Sequence, residues 1–145
     1  MLVIIKIKRK NFRIIDHTAD IGVTAYGTDV KQAFANAAKG MFSLITDLRK
    51  VRETTFKDIL VTATDRETLL VAWLNELIYL FDVENLLCKK FNIIELGDTQ
   101  LKAKVYGEKV DNTRHLIKIG IKSTTYHMLQ VKHDDGYEVR VIFDI

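Results

Sequence analysis

The feature that most constrains this fold is an amphipathic segment, residues 66–82, in the middle of the chain. Asp65, a residue type favoured at helix N-caps, directly precedes it. Its apolar residues recur at intervals of three and four: Leu69, Leu70, Trp73, Leu74, Leu77, Ile78 and Phe81. The pattern predicts a helix whose broad apolar face, with two large aromatic side chains, lies at the centre of the core.

The rest of the chain supplies one more helix and many strands. Asp29 is predicted to cap a second helix over residues 30–46, whose apolar positions also follow the helical period. Strands are predicted over residues 2–8, 12–16, 21–26, 51–63 (as one strand or two), 91–96, 101–106, 116–122, 126–132 and 137–143. The predicted fold class is therefore α+β, a single domain of residues 1–145 with a mixed or largely antiparallel sheet packed by two helices.

Composition excludes several classes of protein. The chain is 48% hydrophobic and 28% charged, and its net charge of +3 is small for a dedicated nucleic-acid binder. The single cysteine, Cys88, excludes an intramolecular disulfide and a cysteine-based zinc site, and a buried position is expected for it. No apolar run approaches the ~20 residues of a membrane span, so the expected location is the cytoplasm.

Carboxylates near the two ends of the sequence are the strongest chemical signal. Asp20 follows a polar turn between two predicted strands, and Asp144 stands beside the terminal residue Ile145. Together they would form a site for a hard cation, which prefers several oxygen ligands. Spacing alone does not bring them together, and without further information Asp20 reads as a turn-capping side chain and Asp144 as a terminal charge.

Five short blocks of the sequence resemble the signature of the archease family, small proteins that assist the RtcB-type tRNA-splicing ligase. The blocks are DHTADIGVTAYG (residues 16–27), AFANAAKGMF (33–42), WLNELIYLFD (73–82), TYHML (125–129) and VRVIFDI (139–145). The resemblance covers the chain from about residue 12 onwards. Residues 1–10 extend beyond it and are predicted to add an extra strand.

The resemblance implies a metal site formed by Asp20, Asp144 and Ile145. The implied cofactor is a divalent cation, with calcium preferred over magnesium or manganese. Asp16 and His17 are expected to hold the turn around Asp20, a supporting role that we prefer to direct ligation or general-base chemistry. Lys122, in a run similar to the family's Lys-Ala-x-Thr-Tyr-His, is expected to contact a partner, a phosphate or the acids of the site; read alone it would be an exposed strand lysine.

The function implied is that of an accessory protein and not of an enzyme. It would bind an RtcB-type RNA ligase, promote transfer of GMP from GTP onto the ligase and sustain multiple turnover in tRNA splicing or RNA repair, meeting RNA indirectly. No phosphate-binding loop, dinucleotide motif or nucleophile elbow points to catalysis. Two alternatives remain open at this point, a metal-dependent phosphohydrolase or nuclease that uses the same acids, and a general RNA-binding or chaperone module.

Overall fold

The computed structural model describes residues 3–4, 11–16 and 20–145. Their elements in chain order are β1 (Val3–Ile4), β2 (Phe12–Asp16), β3 (Asp20–Gly27), α1 (Val30–Ile45), a 3-10 turn (Leu48–Lys50), β4 (Thr55–Thr62), α2 (Arg66–Glu84), β5 (Leu86–Leu96), β6 (Gln100–Lys109), β7 (Ser123–His133) and β8 (Tyr137–Asp144). Both predicted helices are confirmed, and the region predicted as one strand or two, residues 51–63, contains a single strand, Thr55–Thr62.

Both helices begin where the sequence predicts, because a carboxylate satisfies their first free N–H groups. Asp29 Oδ1 accepts the N–H of Gln32 at 2.8 Å at the start of α1. Asp65 Oδ1 accepts the N–H of Thr68 at 2.8 Å, and the Thr68 hydroxyl accepts the N–H of Asp65 at 3.2 Å, a reciprocal capping box.

The strands form two antiparallel sheets instead of the one that the sequence predicted. The first sheet has the order β1-β2-β3-β8-β7 and the second the order β4-β6-β5. Each helix packs against strands of both sheets, so a continuous hydrophobic core joins the two. Trp73, fully buried on α2, donates its indole N–H to the carbonyl of Phe34 on α1 at 3.0 Å. The predicted α+β class, with helices packed on antiparallel strands, is confirmed.

Residues 116–122, predicted as a strand, form none. The side chain of Leu116 is 77% exposed. The N–H of Lys118 donates to the carbonyl of Ile45 at 2.7 Å, and the Thr46 hydroxyl donates to the carbonyl of Leu116 at 2.8 Å. Residues 116–118 therefore bond to the end of α1, whose last carbonyls lack partners within the helix, while Lys122 bonds to the last residue of β8.

A buried cluster fixes the start of this connection between β6 and β7. Arg114 Nη2 donates to Glu108 Oε2 at 2.7 Å, and His115 Nε2 lies 2.9 Å from Glu108 Oε1. His115 Nδ1 accepts the N–H of Asp111 at 2.9 Å, so its ring proton is on Nε2, which faces Glu108 and the carbonyl of Lys50. The Arg114 guanidinium lowers the pKa of the Glu108 carboxyl to about 2.

The N-terminal extension is described only in part. Val3–Ile4 pairs antiparallel with β2, at the edge of the first sheet. The remainder of the extra strand predicted within residues 1–10 lies outside the described residues. In the part of the chain that is described, neither helix has the length and apolar character needed to cross a membrane.

Candidate functional site

The structure brings the two predicted site aspartates face to face. Asp20 is the first residue of β3 and Asp144 the last of β8, and the two are direct Cα partners in the antiparallel ladder. Residues that are directly opposite in such a ladder project to the same face, with Cβ atoms about 4.5–5.5 Å apart. Two carboxylates from distant parts of the sequence thus share one end of the sheet.

Strand alternation places this pair on the side of the sheet that faces away from the helices. Val23, Val141 and Phe143 are fully buried and belong to the core that α1 and α2 complete. Asp20 and Asp144 lie one or three positions away along their strands and therefore point to the opposite face. Asp20 is half-buried and Asp144 is exposed, so Asp144 is accessible to solvent or to a partner.

Gly22 keeps the two strands close at this end. A Cβ atom at Gly22 would lie 2.6 Å from Ile142 Cδ1 and 2.7 Å from the carbonyl oxygen of Val141. The Ile142 side chain occupies the space that a side chain at position 22 would need. The glycine of the Asp-His-Thr-Ala-Asp-Ile-Gly run is thus required by the contact between β3 and β8, two residues from Asp20.

Lys122 and Ser123 approach Asp144 from the other side. The N–H of Lys122 donates to the Asp144 carbonyl at 2.8 Å, and Ser123 is the Cα partner of Asp144 on β7. Asp20, Asp144 and Ser123 therefore form a row across three strands. The Lys122 side chain is exposed, and Ile145 follows Asp144 with 38% of its surface exposed.

An asparagine on α2 anchors the start of β7. Asn75 Oδ1 accepts the N–H of Thr124 at 2.8 Å. This contact fixes the segment that carries Lys122 and Ser123 to the central helix. Asn75 lies in one of the blocks that resemble the family, but the sequence predicts no role for it, since no local pattern links residue 75 to residue 124.

The two remaining predicted residues are only partly described. The backbone of Asp16 pairs with Ile21 on β3 and with Val3 on β1, which places it next to the strand end that carries Asp20. His17 lies outside the described residues. The supporting role expected for Asp16 and His17 stays a prediction.

A large bulge in β7, close to this site, is not predicted by the sequence. The pairing register moves from Thr125 opposite Ile142 to Gln130 opposite Arg140, so residues 126–129 face a single residue of β8. Arg140 Nε donates to the carbonyl of Met128 at 2.9 Å, and Met128 has a φ of 54°. The bulge presents Tyr126 at 64% exposure.

The bulge is held from its base by one threonine. The Thr125 hydroxyl donates to the carbonyl of Ile142 at 2.9 Å and accepts the N–H of His127 at 3.3 Å. Residues 126–129 are four bulky side chains in a row without the polar alternation of the strand around them, but such a run does not by itself predict a bulge.

The donor set of the site fits a hard divalent cation. Two carboxylates from Asp20 and Asp144 and the main-chain carboxylate of Ile145 would offer only oxygen, the ligand type that calcium and magnesium prefer. Across residues 3–4, 11–16 and 20–145, no three His, Cys, Asp or Glu side chains are grouped closely enough to hold a metal ion. The ligand set of Asp20, Asp144 and Ile145 and the identity of the cation therefore stay predictions.

Comparison with known proteins extends over nearly the whole chain. The family model described as "Archease protein family (MTH1598/TM1083)" matches residues 12–145. The chain belongs to the archease family. It is 40% identical to the archease of Methanosarcina mazei over 141 residues, which is 94% of this chain and 97% of that protein. It is 38% identical to the archease of Sulfolobus acidocaldarius over 136 residues, 92% and 98% of the two chains.

Solved archease-family structures share the fold. The solution structure of Methanobacterium thermoautotrophicum protein 1598 is 36% identical, with a TM-score of 0.80 over 94% of this chain and 99% of that one. A Thermotoga maritima crystal structure, described as an archease and possible chaperone, is 19% identical with a TM-score of 0.57 over 90% and 94% of the chains. At that identity the likeness supports the fold alone.

Cys88, His115 and His133 each have a structural explanation in the described chain. Cys88 is fully buried, and burial raises the pKa of its thiol to about 12. His115 belongs to the Glu108 cluster, and the His133 ring stacks on Tyr137 with centroids 4.2 Å apart. The predicted buried position of Cys88 is confirmed.

Proposed function

We propose that this protein is an accessory activator of an RtcB-type RNA ligase. In tRNA splicing and RNA repair it promotes guanylylation of the ligase from GTP and sustains repeated rounds of joining. It acts as an accessory factor and does not catalyse the joining reaction itself. The single observation that carries the proposal is the direct pairing of Asp20 with Asp144, in a member of the archease family.

The chain's own groups have distinct tasks in this proposal. Asp20, Asp144 and the Ile145 carboxylate hold a divalent cation, with calcium the favoured ion. When bound, the cation supplies positive charge that stabilises phosphoryl oxygens. Lys122 is tied to Asp144 through its backbone N–H, and its side chain is exposed. In this proposal its ammonium group contacts a phosphate or an acidic group of the ligase.

The position of the site suits contact with a partner protein better than enclosure of a substrate. The acids lie at the end of two strands, on the sheet face away from the core, and the exposed Tyr126 bulge lies on the neighbouring strand. An exposed aromatic side chain next to charged groups is typical of contacts between proteins. The bulge therefore serves as an additional contact with the ligase.

The decisive experiment follows covalent labelling of the ligase. An RtcB-type ligase from the same source is incubated with radiolabelled GTP and metal, with and without this protein, and labelled ligase is measured over time. Asp20→Ala, Asp144→Ala and Lys122→Ala are expected to lose the acceleration. Glu53→Ala, which removes an exposed acid in the loop before β4, is the matched control and is expected to retain it.

A second test addresses the terminal carboxylate. A short glycine-serine extension after Ile145 converts that carboxylate into an amide and is expected to abolish acceleration, whereas the same extension at the N-terminus is not. Equal acceleration by the two extended proteins, at equal thermal stability, would remove Ile145 from the site.

The competing enzymatic function predicts a different result in the same assay. A hydrolase or nuclease would release nucleotide or phosphate when the isolated protein is mixed with GTP or RNA and a divalent cation. Such release, lost in Asp144→Ala and seen without any ligase, would replace the accessory role.

A further inference from the structure

The outer face of the second sheet, β4-β6-β5, carries an unusual group of exposed apolar side chains. Ile59, Ala103 and Val105 point inwards and are buried against the helices, so the alternate residues of these strands point outwards. Among these, Phe56 is 52% exposed, Leu60 61% and Ile94 49%. This face, which we call the open sheet face, is defined by Phe56, Leu60, Lys90, Ile94, Lys102, Lys104 and Tyr106.

Two aromatic rings lie side by side on the open sheet face. Phe56 on β4 and Tyr106 on β6 are direct cross-strand partners. Their ring centroids are 6.2 Å apart and their planes differ by 49°. Phe56 is exposed and Tyr106 is half-buried, so both side chains are partly accessible from solvent.

Lysines surround these rings. Lys104 Nζ lies 4.4 Å from the centroid of the Phe56 ring, and Lys90 Nζ lies 5.2 Å from that of Tyr106. Lys102 lines an adjacent depression of about 230 Å³ between Leu60 and Ile94. The ammonium groups are therefore spread along the aromatic pair and the depression and not gathered at one point.

The charge of the face is positive on balance. Asp58 is 4.0 Å from Lys104 and is 75% exposed, so this pair is loose and open to competition. Glu95 is the cross-strand partner of Lys102. Three ammonium groups thus stand against two carboxylates, with the aromatic rings between the cations.

We propose that the open sheet face binds single-stranded RNA. Adjacent aromatic rings on neighbouring strands are a stacking platform for unpaired bases, and flanking lysines meet the phosphates between them. One base stacks on Phe56 and the next on Tyr106, displacing the lysine ammonium groups from the rings towards the phosphates. The Leu60–Ile94 depression receives an adjoining base.

Two other occupants fit the face less well. A second copy of this chain would bring its own lysines against Lys90, Lys102 and Lys104, and like charges in contact disfavour association. Double-stranded RNA keeps its bases stacked inside the helix, so the rings would have nothing to stack on. The choice of RNA over single-stranded DNA rests on the proposed ligase role. The proposal that unpaired bases stack on this face does not depend on that role.

The test uses the isolated protein without ligase, so its outcome is independent of the guanylylation assay. Binding of a fluorescein-labelled oligouridine of about ten nucleotides, a length within the usual range for one stacking surface, is followed by fluorescence anisotropy at low salt. The double variant Phe56→Leu/Tyr106→Leu keeps the face apolar but removes both rings, and it is expected to raise Kd by about tenfold or more. Tyr79→Leu, which removes a 51% exposed aromatic on α2, is the matched control and leaves Kd unchanged.

The contribution of the lysines is tested by the salt dependence of binding. Wild-type affinity is expected to fall as salt rises from about 50 to about 200 mM, and Lys90→Gln/Lys104→Gln is expected to flatten that dependence. Lys132→Gln, an exposed lysine on β7 in the other sheet, leaves the slope unchanged. Circular dichroism and thermal melting confirm that each variant is folded.

Equal binding of the matching oligodeoxynucleotide would overturn the choice of RNA. Three results would overturn the stacking platform itself: no binding at low salt, equal binding of an RNA duplex, and undiminished binding by the ring-removed double variant. The last result would mean that apolar area and not base stacking governs the face, as expected for a protein partner.

Discussion

The Glu108 carboxylate lies 2.7 Å from the Arg114 guanidinium and is itself only 8% exposed. This pair fixes the start of the connection between β6 and β7, which runs past the end of α1 to Lys122. Replacing a buried charged partner leaves the other group poorly satisfied, which costs more than the loss of a surface pair.

Glu108→Gln is therefore expected to lower the free energy of unfolding by about 1–3 kcal/mol, measured by urea denaturation. Asp47→Asn is the matched control, because Arg49, the partner of Asp47, has a side chain 90% exposed. Little change is expected there. If the two substitutions were equally costly, burial would not explain the role of Glu108.

The same pair makes the free energy of unfolding depend on pH in the acidic range. Arg114 lowers the pKa of Glu108 from its ordinary value of 4.5 to about 2 in the folded protein. A carboxyl with a lowered pKa contributes stability that is fully present above its ordinary pKa and is lost as the pH falls towards the folded value. The stability difference between wild type and Glu108→Gln should thus shrink between about pH 5 and pH 2. A difference that stays constant over this range would contradict the assignment.

Calcium is expected to raise the melting temperature of the wild-type protein, since a ligand that binds only the folded state stabilises it. Asp144→Asn should melt at the same temperature with and without calcium, because one of three ligand groups loses its charge. Asp134→Asn, in the turn at the other end of β8, is the control and should respond like wild type. Equal calcium shifts in all three proteins would place the cation elsewhere.

Gly22→Ala is expected to lower stability by about 1–3 kcal/mol, since its Cβ would collide with Ile142 and with the backbone of Val141. The collision separates β3 from β8 near the Asp20–Asp144 pair, so the calcium-dependent rise in melting temperature should also shrink. Gly120→Ala is the control, because a Cβ there would meet nothing within 4 Å. An unchanged calcium response in a destabilised Gly22→Ala protein would uncouple the strand contact from the site.

Cys88 should be inert to thiol reagents in the folded protein. It is fully buried, and burial raises the pKa of its thiol to about 12, so almost no thiolate exists at neutral pH. Labelling by iodoacetamide at mildly alkaline pH is expected only after urea unfolds the chain. Rapid labelling of the native protein would show that β5 opens locally.

Local sequence signals predicted those parts of the fold that local chemistry determines. The helices followed from one carboxylate at each N-terminus and an apolar period of 3.6, and the structure confirms both. Residues 116–122 show why the strand predictions were less secure. Their backbone groups bond to the end of α1, a partner remote in sequence that alternation of side chains cannot reveal.

For the site too, some features could be predicted from the sequence and others depend on contacts between remote residues. The sequence supplied the acids and, through family resemblance, the expectation that they meet. Strand pairing supplied what spacing could not, namely that Asp20 and Asp144 are opposite each other and that Ser123 stands on the far side of Asp144. The bulge at residues 126–129 was missed because a bulge depends on how many residues the partner strand offers.

The position of β8 between β3 and β7 has a consequence for how the chain matures on the ribosome. The second sheet and α2 come from one continuous stretch of the chain and can assemble during synthesis. One edge of β3 stays unpaired until β8 has been synthesised. The pairing of Asp20 with Asp144 requires β8, so a chain that lacks this strand has no acidic pair to offer a partner.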